Sequence, residues 1–208
     1  MLSAAHAIVS YLQQYHDAFG LLAIVFGGLW ALLEFRLRRI AERKSLAGQL
    51  FEKFKNHPQT ILATKMLDWQ REFCLGKNSK GKEMRFESSS SNLMKALRAK
   101  GDDSNFSDAE GRVRDIFDDF LTELEMLNSY IKSRSVMFED ISPFLSYWVD
   151  MMRNGKGIHG QPVSDQLENY YISYDYVGVN ELLSKFERRR PSSQPSTRND
   201  NEPSGGGH

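Results

Sequence analysis

Residues 18–33, AFGLLAIVFGGLWALL, form an uninterrupted apolar run bounded by Asp17 and Glu34. A bilayer core is about 30 Å thick, so a crossing helix needs roughly 20 apolar residues, with a lower limit near 17. The run reaches that length at both ends. Phe35 and Leu37 extend it forwards, with Glu34 and Arg36 placed where headgroups solvate charged tips, and His16, Tyr15 and Leu12 extend it backwards. Tyr11 and Tyr15 at one end and Trp30 at the other suit the two interfaces. The pattern predicts a transmembrane helix over residues 16–35. Two other readings fit an apolar run, a core helix of a soluble protein and a cleaved signal peptide. Against the signal peptide, no Lys or Arg precedes the run, and FRLRRIAERK follows it instead of a small-residue cleavage site.

Charge sets the expected orientation. The first 35 residues contain no Lys or Arg, whereas Arg36, Arg38, Arg39, Arg43 and Lys44 follow in close order. Flanking cations are retained in the cytoplasm, so the chain is expected in the inner (cytoplasmic) membrane as a single-pass protein, N-terminus out and C-terminus in. The expected division is an anchor over 1–39, a cytosolic domain over 40–190 and a disordered tail over 191–208, which lacks aromatic and aliphatic residues. The basic cluster is first a topology signal. It would also be drawn to anionic lipid.

Lys plus Arg equals Asp plus Glu at 27 each, which argues against a nucleic-acid partner. Cys74 is the single cysteine, so no disulfide framework or cysteine metal cluster can form. Its spacing within a helical reading of residues 58–75 predicts a buried, reduced thiol.

The downstream chain reads as mainly α, a compact bundle of five or six helices joined by short connections. A helix continues from the span through Leu46, Leu50 and Phe54 until Asn56-His57-Pro58 breaks it. Pro58 opens a helix to residue 75, with Ile61, Leu62, Met66, Trp69 and Phe73 on its apolar face and Gly76 as its stop. Residues 77–92 read as a loop with a short extended piece at 84–86, and a short helix follows over 92–100. Ser107-Asp-Ala-Glu110 is a capping box opening a helix over 108–132, whose stripe from Val113 to Ile131 is the clearest amphipathic pattern in the chain. Ser142-Pro143 predicts the start of a further helix, and two more are expected over 165–176 and 179–189.

Chemistry-bearing motifs are scarce. The histidines (His6, His16, His57, His159, His208) form no HExxH or ExxH pattern, and no phosphate-loop, dinucleotide or nucleophile-elbow motif is present. Residues 102–105 lack the register of a calcium loop. No catalytic residue, metal or cofactor is implied. Asp115, Asp118, Asp119, Glu123 and Glu125 read first as a solvated helix face, with Arg112 or Arg114 as helix neighbours, rather than an acid/base site. Three features remain. Tyr170, Tyr171 and Tyr174 form either an interaction surface or packing of the last helices. Gly20, Gly27 and Ala31, with Ala23, give the span a small face for helix pairing. His159, within Gly-Lys-Gly-Ile-His-Gly, marks a loop that would wrap a small ligand.

The run VRDIFDDFLTELEMLNSYIKSRSVMFEDISPFLSYWVDMMRNG, with the preceding single span, NHPQT helix start and Met66-Leu-Asp-Trp69, resembles an uncharacterised bacterial family of single-span membrane proteins with a cytosolic helical domain. The likeness covers residues 18–155 and implies fold and topology only. The expected function is a membrane-anchored interaction module, an adaptor, sensor or effector subunit that binds another protein or itself. Two alternatives stand beside it: a membrane effector acting by oligomerisation of its span, and an enzyme or ligand receptor with a site near His159.

Overall fold

The computed structural model describes the backbone of residues 2–99 and 105–189, and their side chains from residue 20 onward except Ala23. The expected disordered tail, the interfacial Tyr11 and Tyr15, and Ala23 of the small face lie outside the described residues or side chains.

The chain is mainly helical. Among the described residues, seven helices and one two-stranded sheet follow in order. They are α1 (Leu2–Asn56), α2 (Pro58–Asp68), β1 (Glu72–Lys77), β2 (Glu83–Glu87), α3 (Ser90–Ala96), α4 (Asp108–Lys132), α5 (Phe138–Asn154), α6 (Gly160–Ser173) and α7 (Val177–Arg189). Helix α1 is unbroken from the apolar run into the domain, about 80 Å at 1.5 Å per residue. Within it, Gly20–Asn56 contains a stretch long and apolar enough to cross a membrane, none of that stretch buried in the protein. Ile24, Phe26 and Trp30 are 76%, 68% and 73% exposed. The character changes at Leu46. Ala47, Leu50 and Phe54 are buried, and Phe54 meets Phe120 of α4 at 5.9 Å between ring centroids. Phe51 stacks on Phe144 of α5 at 4.8 Å.

Helix α4 is the axis of the domain. Its capping box forms as expected, with the Glu110 amide donating to Ser107 Oγ at 3.2 Å and the Ser107 amide donating to Glu110 Oε2 at 2.9 Å. The stripe Val113, Ile116, Phe117, Phe120, Leu121, Leu124 and Leu127 is buried. Helices α2, α3 and α7 and both strands pack around it.

The hairpin corrects the expected helix over 58–75. Helix α2 ends at Asp68, and Phe73 and Leu75 alternate inward with period two. The strands pair antiparallel, Phe73 opposite Phe86 and Cys74 opposite Arg85. Cys74 therefore faces outward and is exposed, because alternation puts it on the face opposite Phe73 and Leu75. Gly76 and Gly81 have φ of +97° and +76°, and Asn78 Oδ1 accepts from the Lys80 and Lys82 amides, so the turn is fixed by residues that tolerate left-handed backbone. Buried Ser88 clamps the hairpin to α2. Its hydroxyl donates to the Trp69 carbonyl at 2.5 Å and accepts from the Arg71 amide at 3.2 Å.

Helix starts shift as well. Helix α5 begins at Phe138, not at Ser142, with Pro143 inside it. The Asp140 carboxylate, accepting from the Met137 amide at 3.2 Å and from Arg43 Nε at 2.7 Å, anchors the earlier start to α1, while Phe138 and Ile141 are buried. Helix α6 begins at Gly160 rather than 165, with His159 at the N-cap position and its side chain turned away to other partners.

Candidate functional site

Three places were legible as candidate sites, and the structure gives each a definite setting. Tyr170 and Tyr171 are buried, 0% and 1% exposed, so their rings form core rather than a free surface, and Tyr174 is half-buried. Of the two readings of this group, the burial of Tyr170 and Tyr171 fits packing of the last helices and not a free surface. The reason is a polar centre between α4, α6 and α7. Tyr170 and Tyr176 both donate to Asp118 Oδ1, at 2.6 and 3.0 Å. Burial pushes both hydroxyls far above the ordinary tyrosine range, and the Asp118 carboxylate reinforces the shift, so both remain donors.

Arg114, one turn earlier on α4, completes this centre. Its guanidinium donates to the Tyr174 hydroxyl and to the Ala96 and Arg98 carbonyls, at 3.1 and 2.9 Å, so it closes the C-terminal end of α3. It also lies over the rings of Phe106, Tyr170 and Tyr174, 4.3–5.1 Å from their centroids. The acidic set on α4 is therefore not a uniform solvated face. Asp118 binds tyrosines, Glu125 Oε1 accepts from the Gly178 amide at 3.0 Å, and Asp115 pairs with Arg112 at 3.6 Å. Sequence spacing placed Asp118 in the acidic set of α4 and Arg114 among its helix neighbours. Their tyrosine partners, Tyr170 on α6 and Tyr174 and Tyr176 just after it, lie more than fifty residues away and gave no local signal.

His159 is buried and tied on both ring nitrogens. Nε2 lies 2.8 Å from the Met66 carbonyl and Nδ1 lies 3.2 Å from Ser90 Oγ. The neutral ring with hydrogen on Nε2 satisfies both: it donates to an otherwise unpaired carbonyl at the C-terminal end of α2 and accepts from the Ser90 hydroxyl. Burial lowers its pKa below the ordinary histidine range, partly opposed by the Met66 carbonyl. The cavity beside it, lined by Leu67, Met151 and Leu167, holds only about 10 Å³. That is room for about one water, not for a ligand. The glycine loop is occupied by the protein itself: Gly157 lies against the Leu67 carbonyl, and the Gly155 amide donates to Ser164 Oγ at 3.0 Å.

Gly20, Gly27 and Ala31 lie on the exposed part of α1, and nothing comes within 4 Å of a side chain built at Gly20 or Gly27.

Sequence reasoning missed one exposed cluster. Trp69 is 44% exposed, Tyr147 53% and Ile158 59%; Trp69 is the C-cap of α2, Tyr147 bonds its last residue, and Ile158 follows Gly157, which lies against the Leu67 carbonyl. Tyr147 donates to Asp68 Oδ1 at 2.6 Å, and Arg71 covers one face of Trp69 at 4.5 Å. The helical period of residues 58–75 places Trp69 on the apolar face. The end of α2 at Asp68 turns it outward. Among the described residues, no group of three or more His, Cys, Asp or Glu side chains is placed to hold a metal.

No family model, curated protein or solved structure matches the chain.

Proposed function

We propose that this chain is a single-pass membrane protein whose helical domain stands on the cytosolic side and works by binding another protein. One observation carries the reading. A continuous helix is apolar and unburied over one half and packed into the domain core over the other. Such a helix fixes the domain rigidly against the bilayer, which suits an adaptor, sensor or effector subunit better than a free enzyme. The excess of Arg and Lys after the run supports the N-out, C-in orientation. The Trp69–Tyr147–Ile158 cluster, aromatic and open, is the surface we assign to the partner in place of the tyrosines of α6.

The test is purification of the full-length chain from gently solubilised membranes, with the mass of the complex and the identity of its components determined. The reading expects a stoichiometric protein partner that is lost when Trp69 and Tyr147 are both changed to Ala. A homo-oligomer with no other component, dissociated by Gly27→Leu, would replace it with the alternative in which the span self-associates.

A further inference from the structure

The point where α1 leaves the exposed apolar stretch and enters the domain is not smooth. The turn between α4 and α5 comes up beside it, and Arg39, Ile40, Glu42 and Arg43 of α1 together with Arg134 of that turn line an open cleft of about 450 Å³. Arg43 is committed to Asp140, at 2.7 Å. Arg39 stacks over Phe35 at 4.9 Å, and both it and Arg134 are exposed. Ile40, 42% exposed, continues the apolar side chains of α1 into the cleft.

Depth along the helix identifies what this cleft meets. Arg39 and Arg43 lie roughly 3 and 9 Å beyond Leu37, at 1.5 Å per residue. The headgroup layer on each side of a bilayer is about 5–8 Å deep. An α1 that crosses the membrane therefore holds the cleft at the level of lipid phosphates, with Ile40 against the upper acyl chain. Two guanidiniums without an ion pair among the described residues, Arg39 and Arg134, from elements almost a hundred residues apart in sequence, line it together with one carboxylate, Glu42.

We propose that this cleft is a binding site for an anionic glycerophospholipid. Arg39 and Arg134 take the phosphate, and Glu42 accepts from a hydroxyl of a glycerol-type headgroup. The inference rests on the membrane reading of α1 and deepens it: the α4–α5 turn grips the same leaflet, so lipid composition bears on how the domain is held.

Arg134 permits a clean test. Its φ is +59°, a conformation glycine adopts without steric cost, so Arg134→Gly removes the guanidinium and leaves the turn intact. Full-length chain in neutral-detergent micelles is titrated with short-chain phosphatidylglycerol, phosphatidylcholine and inorganic phosphate, and binding is read by native mass spectrometry. The site predicts saturable phosphatidylglycerol binding, weakened about fivefold by Arg134→Gly or by Arg39→Gln and unchanged by Lys80→Gln on the distant hairpin turn. Phosphatidylcholine should bind more weakly than phosphatidylglycerol. Inorganic phosphate binding as tightly as phosphatidylglycerol would overturn the lipid assignment. Equal phosphatidylglycerol binding by wild type and both variants would overturn the site. Resistance of the wild type to alkaline extraction from membranes is scored in parallel. Its loss overturns the anchor and the site together, whereas a retained anchor with unchanged binding overturns the site alone.

Discussion

The two halves of α1 are built from the same kinds of residue and end in opposite surroundings. Phe26 is 68% exposed, and Phe54, twenty-eight residues later on the same helix, is 1% exposed. The difference lies in spacing. Residues 18–33 are apolar on every side, and their described side chains are left uncovered by the domain. Residues 46–54 are apolar at Leu46, Ala47, Leu50, Phe51 and Phe54 only, a single stripe that the domain covers with α2, α4 and α5. An all-round apolar helix needs an apolar surrounding on every side, a protein core or a bilayer. A striped one needs a neighbour.

The comparison breaks first, and hardest, at Phe54. Phe54→Ala removes a buried ring against Phe120 and should cost about 4 kcal/mol of domain stability in a denaturant titration, with membrane association unchanged. Phe26→Asp should do the reverse. It leaves the domain's stability intact and disfavours insertion by about 3 kcal/mol, seen as release of the chain from the membrane fraction.

Smaller effects sharpen the packed half. Asp118→Ala removes the carboxylate that accepts from both Tyr170 and Tyr176, leaving Tyr176 only the long bond to the backbone carbonyl of residue 118, and should cost about 2 kcal/mol. His159 gives that half a pH dependence. Its folded pKa is lowered, so the unfolded chain binds the proton more readily, and the stability from the neutral ring is complete above the unfolded value. Stability should therefore fall as pH drops below about 6.5, by at most about 1.4 kcal/mol per pH unit until the folded pKa is passed. Urea titrations from pH 7.5 to 5 check this, and the slope should be absent in His159→Gln. The smallest effect is expected at Gly27. Gly27→Leu meets no neighbour in the protein and should leave domain stability unchanged within about 0.5 kcal/mol.

What could be read from the chain follows the range of the interactions. The apolar run, the Ser107–Glu110 capping box and the α4 stripe are local patterns, and each is found where its spacing put it. The extended piece at 84–86 is β2, but the first strand of the hairpin was hidden because Ile61, Met66, Trp69 and Phe73 also satisfy a helical period. What ends α2 is Ser88, gripping Trp69 and Arg71 from seventeen to nineteen residues away. The start of α5 was hidden for the same reason: Asp140 answers to Arg43, ninety-seven residues earlier. His159 looked like a loop ligand in sequence. Only the fold supplies the Met66 carbonyl and Ser90 that occupy both of its nitrogens.

The central claim is that α1 holds the helical domain at a membrane with the domain on the cytosolic side. The most direct test combines alkaline extraction with protease accessibility of the full-length chain in sealed vesicles of both orientations. The chain should stay with the bilayer pellet, and the α4–α7 region should be cleaved only in inside-out vesicles. Release of the intact chain into the alkaline supernatant, or cleavage of that region only in right-side-out vesicles, would contradict it.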